Sequence, residues 1–165
     1  MLSLWTLLIV LGLGKANDDV SIRQQEITLA SALRKADRAT LLRVTESQLH
    51  VHLECVSAEK SFSADLNRES WIDTVTQIRV ATYEAKIADI HLAVARIPAK
   101  ATPNGSGSAT LRIDETINIF TSSGNKIEKR LSAWDTWVKR DDTWKLLNRI
   151  YGPRTCDDGP RLQFP

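Results

Sequence analysis

Apolar residues in the first part of the chain recur at helical spacing. Between positions 18 and 36 the interval is three residues, which predicts a helix whose cap and acidic first turn come from Asp18 and Asp19. Asp37 is placed to cap a second, short helix, and Asn67 to cap a third, RESWIDTVTQI. The apolar stripe predicted for the first helix consists of Ile27, Ala30, Leu33 and Ala36.

Alternation of apolar and polar residues predicts strands elsewhere. QLHVHLEC (48–55) alternates cleanly between two faces, and everything after Tyr83 reads as long strands. These are AKIADIHLAVARI (85–97), ATLRIDETINIF (109–120) and a final hairpin, IEKRLSAWDTWVKR with TWKLLNRIYG, that turns at Asp141 and Asp142. Helices followed by a run of antiparallel strands indicate an α+β fold.

Composition and charge narrow the class of protein. At 165 residues, with 42% hydrophobic and 25% charged residues, the chain suits one soluble domain with a proper core. The net charge is +2, and no run of Lys or Arg exceeds two residues. We therefore expect neither a nucleic-acid partner nor a polybasic membrane-binding segment.

The N-terminus has the features of an export signal. Leu2 to Gly14 is apolar but shorter than the roughly 20 residues that span a bilayer, and Gly14-Lys15-Ala16 offers small residues at a peptidase site. Residues 1–16 are predicted to be a cleaved signal peptide, with an uncleaved N-terminal anchor as the alternative. Cleavage implies a secreted or periplasmic protein without a stable membrane anchor.

Export changes how the two cysteines are interpreted. In an oxidising compartment Cys55 and Cys156 could form a disulfide closing a long loop, for which chain entropy gives ~4 to 5 kcal/mol. The alternative is two unpaired thiols. Residues 152–165 contain three prolines and two glycines and are predicted to be a loosely packed C-terminal tail.

The order of elements and the ending AWDTWVKRDDTWKLLNRI resemble the SnoaL-like group of the nuclear transport factor 2-like superfamily. Members commonly end with D-x-W-x-x-R-D-G-x-W-K-L, and Asp142 stands here where the family usually has Gly. The resemblance covers about Ser21 to Tyr151 and implies a domain at 17–151, a cone-shaped curved antiparallel sheet wrapped around N-terminal helices. The matching residues are Asp135, Trp137, Arg140, Asp141, Trp144, Lys145 and Leu146.

Such domains include isomerases, dehydratases, epoxide hydrolases and polyketide cyclases, and also non-catalytic binding modules that are often dimers. The resemblance thus implies a fold and a pocket at one open end of the cone, without selecting a function. We expect a small, partly apolar ligand and a homodimer. No dinucleotide fingerprint or P-loop occurs, and no cofactor is expected.

Two carboxylates are candidate catalytic groups. Glu115 interrupts an aliphatic strand face, and a buried carboxylate there would need a partner or a raised pKa, as proton abstraction requires. Alternatively it lies near a strand end or pairs with an arginine, such as Arg112 or Arg130 of a neighbouring strand. Asp135 shares a strand face with Trp137, and the resemblance implies that its position faces the cone. The alternative is a hydrogen-bonded residue of the sheet.

Candidate ligand-binding residues are spread over the predicted strands. Trp137 is expected on the same face as Asp135 and could serve either core or site, whereas Trp134 is expected on the opposite face, at a dimer contact. His50, His52 and Glu54 share a polar face, but no metal site is predicted from them. The candidate ligand-binding residues are Tyr83, His91, Trp137 and Asn148.

With no convergent acid–base set evident, the sequence favours a binding domain. The alternative is a cofactor-independent acid–base enzyme of the isomerase, dehydratase or hydrolase type that uses a carboxylate in the cone.

Overall fold

A computed structural model describes residues 4–56, 61–77, 80–93, 107–120 and 124–152. Three helices, α1 (Leu4–Lys35), α2 (Arg38–Val44) and α3 (Arg68–Gln77), pack on six strands. The strands are β1 (Thr45–Val56), β2 (Ser61–Asn67), β3 (Val80–Ala93), β4 (Ser108–Phe120), β5 (Lys126–Arg140) and β6 (Thr143–Tyr151).

The strands form one curved, unclosed sheet in the order β2-β1-β6-β5-β4-β3. The α+β class with N-terminal helices is confirmed, but the expectation of a purely antiparallel sheet is wrong, because β1 pairs with β6 in parallel. The strand β2 was also not predicted. Phe62, Ala64 and Leu66 do alternate with polar residues in its sequence SFSADLN, but the strand is short and rich in residues that are uncommon in strands. It pairs antiparallel with β1.

Two predicted helix caps are confirmed. The Asp37 carboxylate accepts a hydrogen bond from the backbone N–H of Thr40 at 3.1 Å. The side-chain oxygen Oδ1 of Asn67 accepts one from the backbone N–H of Ser70 at 2.9 Å. Each side chain satisfies a backbone donor that the first helical turn leaves without a partner.

The predicted start of α1 is wrong, and its predicted apolar stripe is confirmed only in part. The helix begins at Leu4, so Asp18 and Asp19 lie within it. Leu33 is buried as expected, whereas Ile27 is 60% exposed. The face that packs on the sheet includes Glu26. A search for regularly spaced apolar residues does not find this face, because one of its positions is an ionisable residue. That buried face consists of Ile22, Glu26, Leu29, Ala32 and Leu33.

Two contacts fix how α1 lies across the sheet. The Lys139 ammonium donates to Asp18 at 2.9 Å, and the Arg149 guanidinium lies 3.5 Å from Glu26. Glu26 is about 12 Å beyond Asp18 along the helix, and Asp135, paired with Arg149, is about 13 Å from Lys139 along β5. The helix therefore runs antiparallel to β5, and Glu26 lies beside the Asp135–Arg149 pair.

The final hairpin turns as the sequence predicts. Asp141 and Asp142 both have positive φ, 46° and 61°, as a two-residue turn between twisted strands requires. Aspartate tolerates this conformation better than most residues, so Asp142 can replace the family's usual Gly.

Several predictions fall on residues about which little is described. Cys55 lies in β1, but its side chain and Cys156 lie outside the described residues, so the disulfide stays a prediction, as do the signal peptide and most of the tail. Over the described ranges, no helix combines the length and apolarity needed to cross a membrane.

Candidate functional site

A cluster of ionisable side chains lies inside the otherwise apolar interior. Arg149 is completely buried, and its guanidinium pairs with Asp135 in a bidentate arrangement, with Nε to Oδ1 at 2.7 Å and NH2 to Oδ2 at 2.6 Å. NH1 contacts Glu115 Oε1 at 3.0 Å. The remaining members contact the same guanidinium, and we call the set the Arg149 cluster: Glu26, Glu115, Asp135, Arg149 and Tyr151.

A β-bulge in β6 turns Arg149 inward. Trp137 pairs with Leu146, but Thr136 pairs with Asn148, so Leu147 is an extra residue in the ladder. An extra residue shifts the alternation of side chains by one. The buried positions of β6 consequently change from Trp144 and Leu146 before the bulge to Arg149 and Tyr151 after it.

Regular alternation along β4 and β5 places the two carboxyl groups of the sheet in the interior. Glu115 continues the buried face of Ala109, Leu111 and Ile113 on β4, and Asp135 lies between Ala133 and Trp137 on β5. Glu115 pairs with an arginine, as its structural alternative expects, but this partner is Arg149, which lies two strands away on β6.

The guanidinium is fully engaged. Its five N–H groups meet two oxygens of Asp135, one of Glu26, one of Glu115 and, at 3.4 Å, the Tyr151 hydroxyl. The Arg149 Cζ also lies 5.6 Å from the centre of the Tyr151 ring. Such saturation holds Asp135 and Arg149 as a pre-oriented polar centre.

The cluster contains more acid than base. If Glu26, Glu115 and Asp135 were all ionised, Arg149 would balance one of three negative charges in a site without water's screening. Burial raises the pKa of Glu26 well above its ordinary value, and the negative charges of Asp135 and Glu115 raise it further, against the lowering effect of Arg149. Glu26 thus holds a proton under conditions that ionise an exposed glutamate.

Tyr151 is neutral in this environment. Burial raises the pKa of its phenol far above the usual value, and the charge of Glu115 adds to that effect. Its hydroxyl accepts from Arg149. Chemically, the cluster offers a carboxyl group whose pKa is raised, a second carboxyl group clamped by a guanidinium, and a neutral phenol.

The free energy of unfolding of the wild-type protein is expected to fall as pH rises above the pKa of an exposed glutamate. In Glu26→Gln this decrease should be absent. The unfolded chain releases the Glu26 proton near pKa ~4.3, whereas the folded chain keeps it until the raised pKa is passed. The folded state binds more protons in this window, so the free energy of unfolding falls as pH increases. Gln mimics the neutral acid and does not titrate.

Urea unfolding of both proteins across a pH series tests this. The advantage of Glu26→Gln over wild type should grow above pH ~4.3, whereas the exposed Glu54→Gln control should show no such trend. Parallel pH profiles for Glu26→Gln and wild type would contradict a proton held at Glu26.

The structure brings together some of the candidate residues that the sequence predicts, but not all of them. Glu115 and Asp135 are brought together on Arg149, and Trp137 is buried next to Asp135 on the same face. Because the bulge at Leu147 shifts the alternation, Asn148 lies on the face of β6 opposite to Arg149, and its Oδ1 is 3.3 Å from His50 Nδ1. Its ligand-binding role stays a prediction.

The other two ligand-binding candidates lie on the edge strand β3. Tyr83 pairs through its backbone with Ile117, and His91 with Thr110. Their side chains lie outside the described part of the chain, and their ligand-binding role stays a prediction.

The histidines of β1 are held by a neighbouring carboxylate. His50 Nε2 and His52 Nδ1 lie 3.0 and 2.8 Å from the same oxygen of Asp65 on β2. The hydrogen bond with His52 is the main cause that lowers the pKa of Asp65. Among the side chains that the structure describes, no group of three His, Cys, Asp or Glu is arranged to hold a metal ion.

Two members of the cluster, Glu26 and Arg149, escaped prediction. The signal for Glu26 was the i, i+3, i+4 and i+7 spacing of Ile22, Leu29 and Leu33 around it, once α1 is allowed to start early. No local signal places the bulge of β6, and unbroken alternation from Trp144 and Leu146 would put Arg149 on the opposite face.

The fold is that of the nuclear transport factor 2-like superfamily, as comparison with solved structures shows. A nuclear transport factor 2-like protein of unknown function from Shewanella baltica matches with a TM-score of 0.58 and 17% identity, covering 83% of this chain and 94% of that one. A conserved protein from Planctomyces limnophilus gives a TM-score of 0.60 and 18% identity over 84% and 96% of the two chains.

A third similar structure is a proposed scytalone dehydratase from Novosphingobium aromaticivorans, with a TM-score of 0.59 and 14% identity, covering 83% of this chain and 84% of that one. No family model matches the sequence, and no curated protein matches it. At these identities the comparisons establish the fold, while membership of the SnoaL-like group stays a prediction.

Proposed function

We propose that this protein is an exported domain that binds a small, partly apolar molecule inside the cone, with the Arg149 cluster as the polar centre of the site. The observation that carries this proposal is the complete burial of Arg149 and Asp135 in an apolar interior. Buried ion pairs are expensive, and well-packed apolar residues often replace them without loss of stability. A role in orienting a ligand would explain why the cluster is present although apolar residues could replace it.

Export is part of the proposal. It rests on the apolar run before Gly14 and on the small residues at Gly14 and Ala16. Cleavage after Ala16 leaves Asp18, which bonds Lys139 of β5, in the mature chain. The mature N-terminus would therefore be tied to the sheet.

A homodimer through the outer face of the sheet completes the proposal. Trp134 and Ile150 are cross-strand neighbours on that face, and each is 40% exposed. Large apolar side chains exposed side by side favour an interaction surface, and a second copy of the chain would cover them in a self-complementary way.

Native mass spectrometry of the mature protein tests all three parts. We expect a chain that starts at Asn17, a dimer that Trp134→Lys converts to monomer, and a retained small mass on the wild-type protein. The exposed Arg112→Met control should leave the dimer intact. A wild-type protein that retains no small molecule, and that no apolar probe stabilises in a melting assay, would contradict the binding function.

A second candidate function is a cofactor-independent acid–base enzyme. The specific observation in its favour is that Glu26, whose pKa is raised by burial, lies against the Asp135–Arg149 pair. A carboxyl group with a raised pKa in an apolar interior is suited to transfer a proton. The proposed scytalone dehydratase shares the fold, which is analogy alone.

The two functions differ in what conservative variants do. In an enzyme, Glu115→Gln and Asp135→Asn should lower turnover by about 100-fold or more while the protein stays folded by circular dichroism. In a binding domain, the same variants should change ligand affinity, and wild type should release its ligand chemically unchanged. Turnover equal to wild type in both variants would eliminate this enzyme hypothesis.

A further inference from the structure

Two buried indole groups in the interior have N–H donors that no described residue satisfies. Trp137 and Trp144 are both buried, and neither Nε1–H has a hydrogen-bond acceptor among the described residues. The indole nitrogen is a donor only, and buried tryptophans usually place it against an acceptor. Each unsatisfied donor therefore calls for an explanation.

The two indoles belong to one wall of the interior. Trp137 on β5 pairs with Leu146 on β6, and Trp144 lies on the same buried face of β6 as Leu146. Trp137 is also about 7 Å along β5 from Asp135, on the same face. The unsatisfied donors thus lie next to the Arg149 cluster, on the same side of the sheet.

We propose that Trp137 and Trp144 donate hydrogen bonds to acceptor oxygens of the ligand, and that the ligand is an uncharged molecule carrying carbonyl or ether oxygens on an apolar body. This inference rests on the proposed binding function and specifies the ligand of that site. Both residues act as specificity-determining groups, because an apolar analogue leaves their donors unsatisfied.

The charge of the interior excludes an anion as the acceptor. Among the described residues, Arg149 is the one basic side chain that is fully buried, and all five of its N–H groups are engaged. Carboxyl groups outnumber it three to one in the cluster. A carboxylate or phosphate ligand would meet repulsion without a cation to bind, whereas a ketone or ether oxygen would meet two N–H donors.

The test uses three probes of similar size: 4-chromanone, which has a ketone and an ether oxygen; tetralin, its hydrocarbon counterpart; and the anion 1-naphthoate. Protein labelled with 15N in tryptophan reports each indole N–H as a separate resonance. We expect 4-chromanone to shift the resonances of Trp137 and Trp144 saturably, and to bind roughly tenfold more tightly than tetralin or 1-naphthoate. Trp134, on the outer face, is the internal control.

Phenylalanine variants assign the resonances and test the donors. Trp137→Phe and Trp144→Phe keep an aromatic ring but remove the N–H, so each should weaken 4-chromanone binding several-fold more than it weakens tetralin binding. Trp134→Phe should change neither. The wild-type titration requires no variant, so a poorly folded variant does not decide the result.

The outcomes separate this inference from the function on which it rests. If tetralin binds as tightly as 4-chromanone, or shifts both indole resonances equally, the site stands and the donor role is wrong. Tighter binding of 1-naphthoate would overturn the exclusion of anions. If none of the three probes binds at millimolar concentration, both the inference and the proposed binding function fail for this class of molecule.

Discussion

Replacing Arg149 by methionine is expected to lower the free energy of unfolding by about 3 to 5 kcal/mol. The substitution keeps an unbranched side chain of similar length but removes the one charge that balances Asp135, Glu115 and Glu26. These carboxyl groups must then be protonated or admit water. The deficit should shrink as pH falls, because protonation of the carboxyl groups relieves their repulsion.

Urea unfolding of Arg149→Met beside Arg112→Met gives the comparison. Arg112 is exposed on β4, and its substitution should change stability by less than about 0.5 kcal/mol. Asp135→Asn should cost less than Arg149→Met, since it removes one negative charge from an acid-rich cluster. An Arg149→Met protein as stable as the control at neutral pH would contradict the buried cluster.

Trp137→Ala is expected to cost about 3 to 5 kcal/mol of unfolding free energy, whereas Trp134→Ala should cost far less. The two tryptophans lie three positions apart on β5, but on opposite faces: Trp137 is 0% exposed and Trp134 is 40% exposed. Alanine at the first position leaves a large cavity in the core, and at the second it removes a surface side chain.

Thermal and urea unfolding of the two variants at low protein concentration measures the difference without a contribution from dimer formation. Equal losses of stability would mean that the two faces of β5 are not divided between core and surface. If Trp134→Ala is the costlier variant only at high protein concentration, the excess reports the proposed dimer.

Strands with regular alternation could be placed from the sequence, and the irregular features could not. The buried faces of β4 and β5, with Glu115 and Asp135 on them, follow from period-two spacing. The hairpin at Asp141 and Asp142 follows from turn chemistry. By contrast, β2 was missed although Phe62, Ala64 and Leu66 alternate with polar residues, because it spans seven residues and its Ser, Asp and Asn are more typical of turns than of strands.

For the same reason, the sequence predicts two of the carboxyl groups of the candidate site, but not Arg149 or Glu26. Two of its carboxylates interrupt apolar faces and stand out, but Arg149 is brought inside by one extra residue at Leu147, which changes every later orientation on β6. Glu26 was concealed because it occupies a place in the buried stripe of α1 that an apolar residue would normally fill. Arg149 and Glu26 are both polar groups at positions where the folding pattern expects apolar residues. Such departures from the pattern are expected at functional sites.

The central claim is that the interior encloses a proton-holding carboxyl cluster around Arg149, and carboxyl NMR tests it most directly. Protein labelled with 13C at the glutamate side-chain carboxyl carbons would be titrated with pH. We predict one glutamate resonance that stays in its protonated position while the others ionise, and that is missing from the Glu26→Gln spectrum. If every glutamate carboxyl instead titrates near its ordinary pKa of ~4.3, the buried cluster and the ligand site built on it are wrong.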